Sequence, residues 1–294
     1  MSIGTQEREQ TVNIAIREIS HIATLPEVTL KIVELVEDPS STAQDLHNVI
    51  ANDPALSSRI LKVVNSSFYG LPGQIGSINR AIVMLGLNAV KNIAIAASLA
   101  KLFRGGDLSH GFSAKAVWEH AVATGAVTKM VADAAKVGMA DEAFLAGLMH
   151  NIGLMVEMQF DRNKLIEVVQ TLGVDGQGVP ANDMCAVEAQ IFGADHQDFG
   201  KGLCEKWKFP ANFALVTGHH HDPLKAPADN RRLPAMVYVA IRLVAEVEGQ
   251  FRLDLTDLAI DSAVLDILGL NETTLASLRE RVPDEISAAA GLLG

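Results

Sequence analysis

Residues 89–103 constrain this chain most. Val90, Ile93, Ala94, Ile95, Ala96, Ala97 and Leu99 make the segment apolar on most faces of a helix, with Lys91 the one charge before Lys101. A helix with one apolar stripe can lie on a surface, but one that is apolar all round needs neighbours on every side. The fold must therefore wrap other elements around this segment, and composition says which kind. Ala, Leu, Val and Ile dominate the 294 residues and aromatics make up only 5%, which favours packed helices over sheets. With 49% apolar and 20% charged residues the chain is globular, and its length suits one large domain or two modest ones.

Start and stop signals divide the first part into short helices. Leu30, Val33 and Val36, flanked by Ile32 and Leu35, form a stripe that ends at Asp38-Pro39. Ser41 with Gln44 predicts a capping box for a helix that buries Leu46, Val49 and Ile50. Asp53-Pro54 predicts an N-cap and first helical residue leading into Leu56, Ile60, Leu61 and Val64. The run Asn65-Ser66-Ser67-Phe68-Tyr69-Gly70 breaks the pattern, and a loop with Pro72 continues to Gly76. Ser77 then predicts a helix over 78–85, and Gly86-Leu87-Asn88 a sharp turn into the central helix. Residues 78–97 also have the outline of a helix-turn-helix. Ordinary packing is the preferred reading, because the second helix offers a nucleic-acid groove only Lys91.

Residues 1–19 read as a short leader, polar at its start and open to helix formation. The Gly-rich polar stretch 104–111 is the best boundary, giving an N-terminal helical unit at 20–108 and a second at 109–294. Helices are expected over 113–137, 141–159, 162–172, 184–192, 196–207, 210–219, 234–248 and 271–281, with a Gly- and Pro-containing loop at 173–182. No strand ladder or internal repeat is discernible, so the expected class is all-α.

A net charge of -11, without a run of Lys and Arg, argues against nucleic acid as a partner. Cys185 and Cys204 lack any CxxC spacing and read as free thiols in a reducing compartment. The chain opens without a basic-then-apolar leader and contains no apolar run of membrane-spanning length, so the expectation is a soluble cytoplasmic protein with no membrane partner.

The histidines carry the chemistry. His120 lies mid-helix in Val117-Trp118-Glu119-His120-Ala121-Val122-Ala123, and His150 ends the apolar run Phe144-Leu145-Ala146-Gly147-Leu148-Met149. One such histidine is ordinarily a core residue held by a backbone carbonyl. Together with His196 and the triplet His219-His220-His221 they point to a metal site, since imidazole is the commonest neutral ligand for zinc and iron. Neighbouring helical residues point about 100° apart, so the whole triplet cannot grip one ion. It follows Gly218 and precedes Asp222-Pro223, which suits a helix end with one imidazole facing inward and another capping or facing water. His221 is expected to be exposed and without function.

The run Asn52-Asp53-Pro54-Ala55-Leu56-Ser57-Ser58-Arg59-Ile60-Leu61-Lys62-Val63-Val64-Asn65-Ser66-Ser67-Phe68-Tyr69-Gly70 resembles the strongest signature of the HDOD domain, a signalling branch of the HD-domain metallophosphohydrolase superfamily. Leu25-Pro26, Ile78-Asn79-Arg80-Ala81-Ile82-Val83-Met84-Leu85-Gly86 and Leu148-Met149-His150-Asn151-Ile152-Gly153 resemble further family segments. So do Phe192-Gly193-Ala194-Asp195-His196-Gln197-Asp198-Phe199-Gly200, Trp207-Lys208-Phe209-Pro210 and His219-His220. The likeness runs over about 20–245. It implies an N-terminal helical bundle packed on an HD-like helical subdomain with a C-terminal helical extension. It places metal positions at His120 and His150, with His196, His219 and His220 resembling the extra ligands of the two-metal HD-GYP branch.

In the same comparison Asn151 stands where the superfamily has aspartate, and the closing aspartate falls near Ile241. Hydrolysis by such a site needs a metal to activate water, and a carboxylate to balance the metal's charge. With an amide and a hydrocarbon at those two places, the resemblance implies a non-catalytic regulatory output module that requires no cofactor, with Zn, Fe or Mn admitted at the histidines. Its expected partners are signalling proteins in trans, of receiver, diguanylate cyclase or EAL type, or a small ligand. Asn65, Ser66, Ser67, Phe68 and Tyr69 either line a groove for that partner or only fix the packing of two helices. The alternative is a degenerate metal-dependent phosphohydrolase acting on a nucleotide or cyclic dinucleotide.

Overall fold

A computed structural model of the chain describes residues 4–19, 26–100, 102–103, 107–109, 112–176 and 178–292. The architecture is all-α. The order is α1 (Thr5–Glu18), α2 (Glu27–Glu37), α3 (Ala43–Ala51), α4 (Pro54–Val64), α5 (Ile78–Leu85) and α6 (Leu87–Leu99). A minimal antiparallel pair follows, β1 (Asp107–Ser109) with β2 (Phe112–Ser113), in register Asp107 to Ser113. Then come α7 (Ala114–Ala135), α8 (Ala140–Met149), α9 (Ile152–Phe160), α10 (Arg162–Thr171), α11 (Met184–Ile191), α12 (His196–Lys206) and α13 (Ala211–His219). Two 3-10 turns at Pro223–Lys225 and Ala228–Asn230 lead to α14 (Arg232–Ala245), α15 (Ser262–Leu268) and α16 (Glu272–Ala289).

α6 is the buried helix that its composition demands. Every residue from Ala89 to Leu99 is buried, and α2, α4, α5 and α8 pack around it. Each fully buried Ile or Leu side chain contributes about 1.5–3 kcal/mol of hydrophobic stabilisation. Gly86, at φ 89°, caps α5 and starts α6 in the same residue, a conformation that a side chain would strain. Lys91 points inward, its ammonium donating to Leu35 O and Ser41 Oγ. The second helix of the helix-turn-helix outline therefore has its charged residue turned into the protein.

Asp53 caps α4 through Leu56 N, and Ser77 caps α5 through Arg80 N. The capping box of α3 is formed by Thr42 and Asp45, one residue beyond the expected Ser41 and Gln44. Ser41 serves Lys91 instead. Among the later helices α7 is the spine, packed by α8, α14 and α16. The segment 141–159, expected as one helix, is two: the backbone turns at His150 and Asn151 between α8 and α9. α15 lies where no element was expected, and α16 runs on past 281 with Pro283 inside it.

The leader, from Thr5, is a helix laid on α9 and α12, with Arg8 Nη1 3.0 Å from Asp198 Oδ2 and 3.5 Å from Asp195 Oδ2. Leu25 and much of the expected boundary at 104–111 lie outside the described residues, where the short β1–β2 pair is what can be placed. Among the described residues, no helix is long and apolar enough to cross a membrane.

Candidate metal centre

Close backbone approach creates the site. α7 and α8 cross at Gly125 and Gly147: a Cβ on Gly147 would lie 2.8 Å from Gly125 Cα and 2.7 Å from Thr124 O. This crossing brings the His120 and His150 rings to a centroid separation of 5.2 Å. α9 and α12 approach closer still, since a Cβ on Gly153 would meet His196 O at 1.8 Å. Glycine at these places is thus a condition for the histidines to meet.

His150 Nδ1 lies 2.6 Å from Gly147 O, and donating its proton to that carbonyl leaves Nε2 bare and buried without a partner. His120 Nδ1 is likewise buried and unpartnered. Between α14 and α15 the chain returns with Asp254, whose Oδ2 accepts from Asn151 Nδ2 at 3.0 Å. Asp254 Oδ1 and Asn151 Oδ1 have no partner. One ligand atom from each of His120, His150 and Asp254 lies within 4.8 Å of the others, all three residues buried.

The carboxylate expected to be missing is therefore present. Ile241, near which the resemblance placed the closing position, is fully buried in the apolar face of α14. The acid arrives later, on a loop after that helix, and sequence spacing along α14 could not reveal it. Its one trace in the sequence is an acid set among hydrophobic residues, Phe251-Arg252-Leu253-Asp254-Leu255. Asn151 orients this aspartate through its amide.

A second group adjoins the first. Glu188 Oε2 lies 2.7 Å from His196 Nδ1 and accepts from His196 N at 2.9 Å, fixing the ring with Nε2 forward. That Nε2 is 3.0 Å from His221 Nε2 and 3.3 Å from His220 Nε2. His220 Nδ1 sits 3.1 Å from Thr217 O, which leaves its Nε2 bare toward the cluster. Cys185, His196 and His221 form a further set with ligand atoms within 4.8 Å of one another. His221 Nε2 also lies 3.9 Å from Asp254 Oδ2, linking the two groups.

The triplet thus divides differently from expectation. His221 turns inward with its side chain 14% exposed, its backbone N–H donating to Gln197 Oε1 of α12 at 3.3 Å. His219 stands half-exposed near Lys201 and Asp222, apart from the other imidazoles.

Burial pushes His120 below the usual imidazole range and His150 down to about 3, the latter also disfavoured by its neighbour His120. His220 and His221 are lowered well below that range, first by burial and then by the other imidazoles. His196 goes the other way. Burial opposes its charge, but Glu188, Asp195 and Asp254 outweigh burial and raise it to about 9. Burial and the nearby Glu188 charge raise the Glu157 carboxyl well above the usual range.

This donor set fits a divalent cation. Four buried polar atoms, His120 Nδ1, His150 Nε2, Asn151 Oδ1 and Asp254 Oδ1, lack a partner, and such groups are costly unless matched. Two imidazoles and a carboxylate are a common ligand set for zinc or non-haem iron. Carbonyls and carboxylates behind the rings are the usual outer partners of metal-bound histidine.

The loop after α4 is held from within. Asn65 Nδ2 donates to Leu61 O at 2.8 Å and Ile75 O at 2.9 Å, and its Oδ1 accepts from Ile75 N at 2.7 Å. Ser66 Oγ donates to Val63 O, while Ser67 is exposed. The Phe68 ring lies 5.1 Å from Tyr69 and 5.4 Å from Phe144 of α8. The loop therefore leans on the helix that ends at His150.

The HDOD domain model matches residues 22–223, and the chain belongs to the HDOD family. A crystal structure of an HDOD domain protein with unknown function from Geobacter sulfurreducens superposes with a TM-score of 0.79 at 20% identity, covering 98% of this chain and 99% of that one. A protein from Shewanella amazonensis named as a candidate phosphohydrolase gives 0.72 at 19% identity, covering 95% and 98%. These likenesses establish the fold alone. An uncharacterised protein of Treponema pallidum (strain Nichols) is 24% identical over 85% of this chain, which spans 47% of that relative's length.

Proposed function

We propose that this chain is a non-catalytic regulatory module of signal transduction, braced by a metal ion at His120, His150 and Asp254, that binds a signalling partner in trans. Candidate partners are proteins of receiver, diguanylate cyclase or EAL type. One observation carries the reading: the imidazoles of His120, His150, His196 and His220 are each 1% exposed or less. A phosphoester must place its phosphorus beside the metal-bound nucleophile, and a cluster closed to this degree offers it no such place. The loop at Asn65–Tyr69 supports the partner role, because it joins the surface of the N-terminal helices to α8 through Phe68 and Phe144. The test is elemental analysis of the purified chain combined with turnover assays on generic phosphoesters, nucleotides and cyclic dinucleotides with added manganese, iron or zinc. Bound metal without turnover is expected, and turnover abolished in His150→Ala would overturn the reading.

A second reading, metal-dependent phosphohydrolase, is favoured by Asp254, which restores a carboxylate to the ligand set. A bound divalent ion would supply Lewis acidity and an activated water there. His120, His150 and Asp254 would hold it, Asn151 would orient Asp254, and movement of His221 would have to open a path. Steady hydrolysis of a phosphoester that saturates with substrate would establish this reading in place of the first.

A further inference from the structure

Where α2, α6, α8 and α13 come together, the surface opens in a cleft of about 160 Å³ lined by Glu37, Asn92, Glu142 and Asn212, with Val36 and Phe213 as an apolar wall. We propose that this cleft binds a guanidinium group carried on an aliphatic stem, as in arginine. Asn92 carries the inference. It is 4% exposed, yet its side chain makes no hydrogen bond among the described residues. Burying such an amide is costly, and an apolar residue of the same size would pack better in its place. The amide is not among the atoms sealed from solvent, and the space it reaches is the cleft. Asn88, one turn earlier on α6, also lines the cleft. Among the described residues, Glu37, Glu142 and Asn88 likewise make no side-chain hydrogen bond or ion pair, and no Lys or Arg lines the cleft. Lys91, next to Asn92 in the chain, is engaged by Leu35 O and Ser41 Oγ.

The lining selects the ligand. Two carboxylates and the asparagine amides offer oxygen acceptors, and a guanidinium brings a planar fork of N–H donors with no acceptor of its own. Its stem can lie along Val36 and Phe213 while the charged head meets the acids. A bare metal ion would gain nothing from that wall, and an anion would meet two like charges. Glu37 is the last residue of α2, a helix end that disfavours an acid and has no basic residue in its last turn. Glu142 stands in the first turn of α8, where the helix itself welcomes its charge, so Glu37 is the more telling of the two. A cleft this small takes one side chain and not a whole cofactor. The site shares no residue with the histidine cluster or with the loop at Asn65–Tyr69. Only the assignment of the guanidinium to a partner protein rests on the function proposed above.

The test titrates the full chain, labelled with nitrogen-15, with N-acetylarginine methylamide at low salt and follows the side-chain amide signals by NMR. The Asn92 amide should shift and saturate, with a dissociation constant on the order of 1 mM, as a ligand of so few atoms allows. The neutral isostere N-acetylcitrulline methylamide should bind at least about tenfold more weakly. Glu37→Gln combined with Glu142→Gln should weaken the arginine probe by about tenfold. Asn92→Leu should abolish saturation while its thermal midpoint equals or exceeds that of wild type, which separates lost binding from lost fold. Agmatine binding more tightly than the capped arginine assigns the site to a free cation, and the reverse order to an arginine of a protein. No saturable shift in wild type, equal binding of the citrulline probe, or undiminished binding in Asn92→Leu overturns the site. Because the wild-type titration decides by itself, a folding defect in a variant does not rescue the inference. Such a failure leaves metal content and the turnover assays untouched, and turnover that overturned the regulatory reading would leave this titration as it is.

Discussion

Two regions bury polar side chains and treat them in opposite ways. In the N-terminal helices, buried Lys91 is spent on Leu35 O and Ser41 Oγ, and the exposed Asn65 spends both its amide atoms on the backbone of buried Ile75. Among the later helices and the loop after α14, His120, His150, Asn151 and Asp254 each keep a buried atom without a partner, and the ligand atoms of His120, His150 and Asp254 lie together. Unpartnered buried atoms also occur singly among the first helices, at Thr29, His47 and Arg59. A matched polar group fixes packing, and an isolated orphan only costs stability. Several orphans that converge, with lone pairs facing one another, describe the place of a cation.

The contrast can be broken most severely at a backbone crossing. Gly153→Ala should destabilise the protein by more than about 4 kcal/mol in urea unfolding, or prevent folding, because α9 and α12 must separate. Gly176→Ala, where a Cβ would meet nothing within 4 Å, should unfold like wild type, and equal midpoints for the two variants would refute the crossing.

Next in size is the ligand set. Asp254→Ala should weaken metal affinity by more than the roughly 10–100-fold typical of an outer-sphere change, and Asn151→Ala by about that amount. Competition with a chromophoric chelator measures both, and equal affinities across the three proteins would remove Asp254 from the site.

Asn65→Ala tests the matched region. It strands Ile75 N and O and should cost about 2–3 kcal/mol while leaving metal content unchanged. Loss of metal in this variant would mean that the two regions are not independent.

Acid titration sharpens the contrast further in chelator-treated protein. His150 has its folded pKa depressed from 6.5 to about 3, so the unfolded chain binds more protons below 6.5 and stability falls with pH there. His120, His220 and His221 are shifted the same way. His196, raised to about 9, has its full stabilising contribution below 6.5 and loses it only as the pH rises through 9. His150, with its folded value near 3, should remove about 1.4 kcal/mol per pH unit below its unfolded value, the other depressed imidazoles acting in the same direction, and the urea midpoint should drop between about pH 6 and pH 5. A flat midpoint over that interval would show that these rings are not buried in the neutral form.

The smallest effect belongs to the surface of the first region. Thr42→Ala removes the cap of α3 and should cost about 1 kcal/mol, seen as a small shift in thermal midpoint with full metal content.

Much of the fold was legible in local chemistry. Asp53-Pro54 and Ser77 start their helices as their side chains dictate, and the apolar run after Gly86 becomes the buried α6. Such signals act over one helical turn, which is why they can be read from the chain. The cap at Thr42 slipped by one residue because Ser41 was taken by Lys91, a contact across fifty positions. The turn at His150 and Asn151 was missed because its residues are as helix-compatible as their neighbours, and only the packing of α8 and α9 decides it.

The sequence alone determined an all-α chain of the HDOD kind and pointed to several of the histidines that cluster, because helix caps, apolar periodicity and residue types are properties of short segments. Only tertiary structure decided which carboxylate serves them and which members of the triplet face inward. Asp254 reaches His120 and His150 from a loop beyond α14, and His221 turns in where α13 ends against α12. Ligand sets are made by distance in space, and separation along the chain carries almost no information about it.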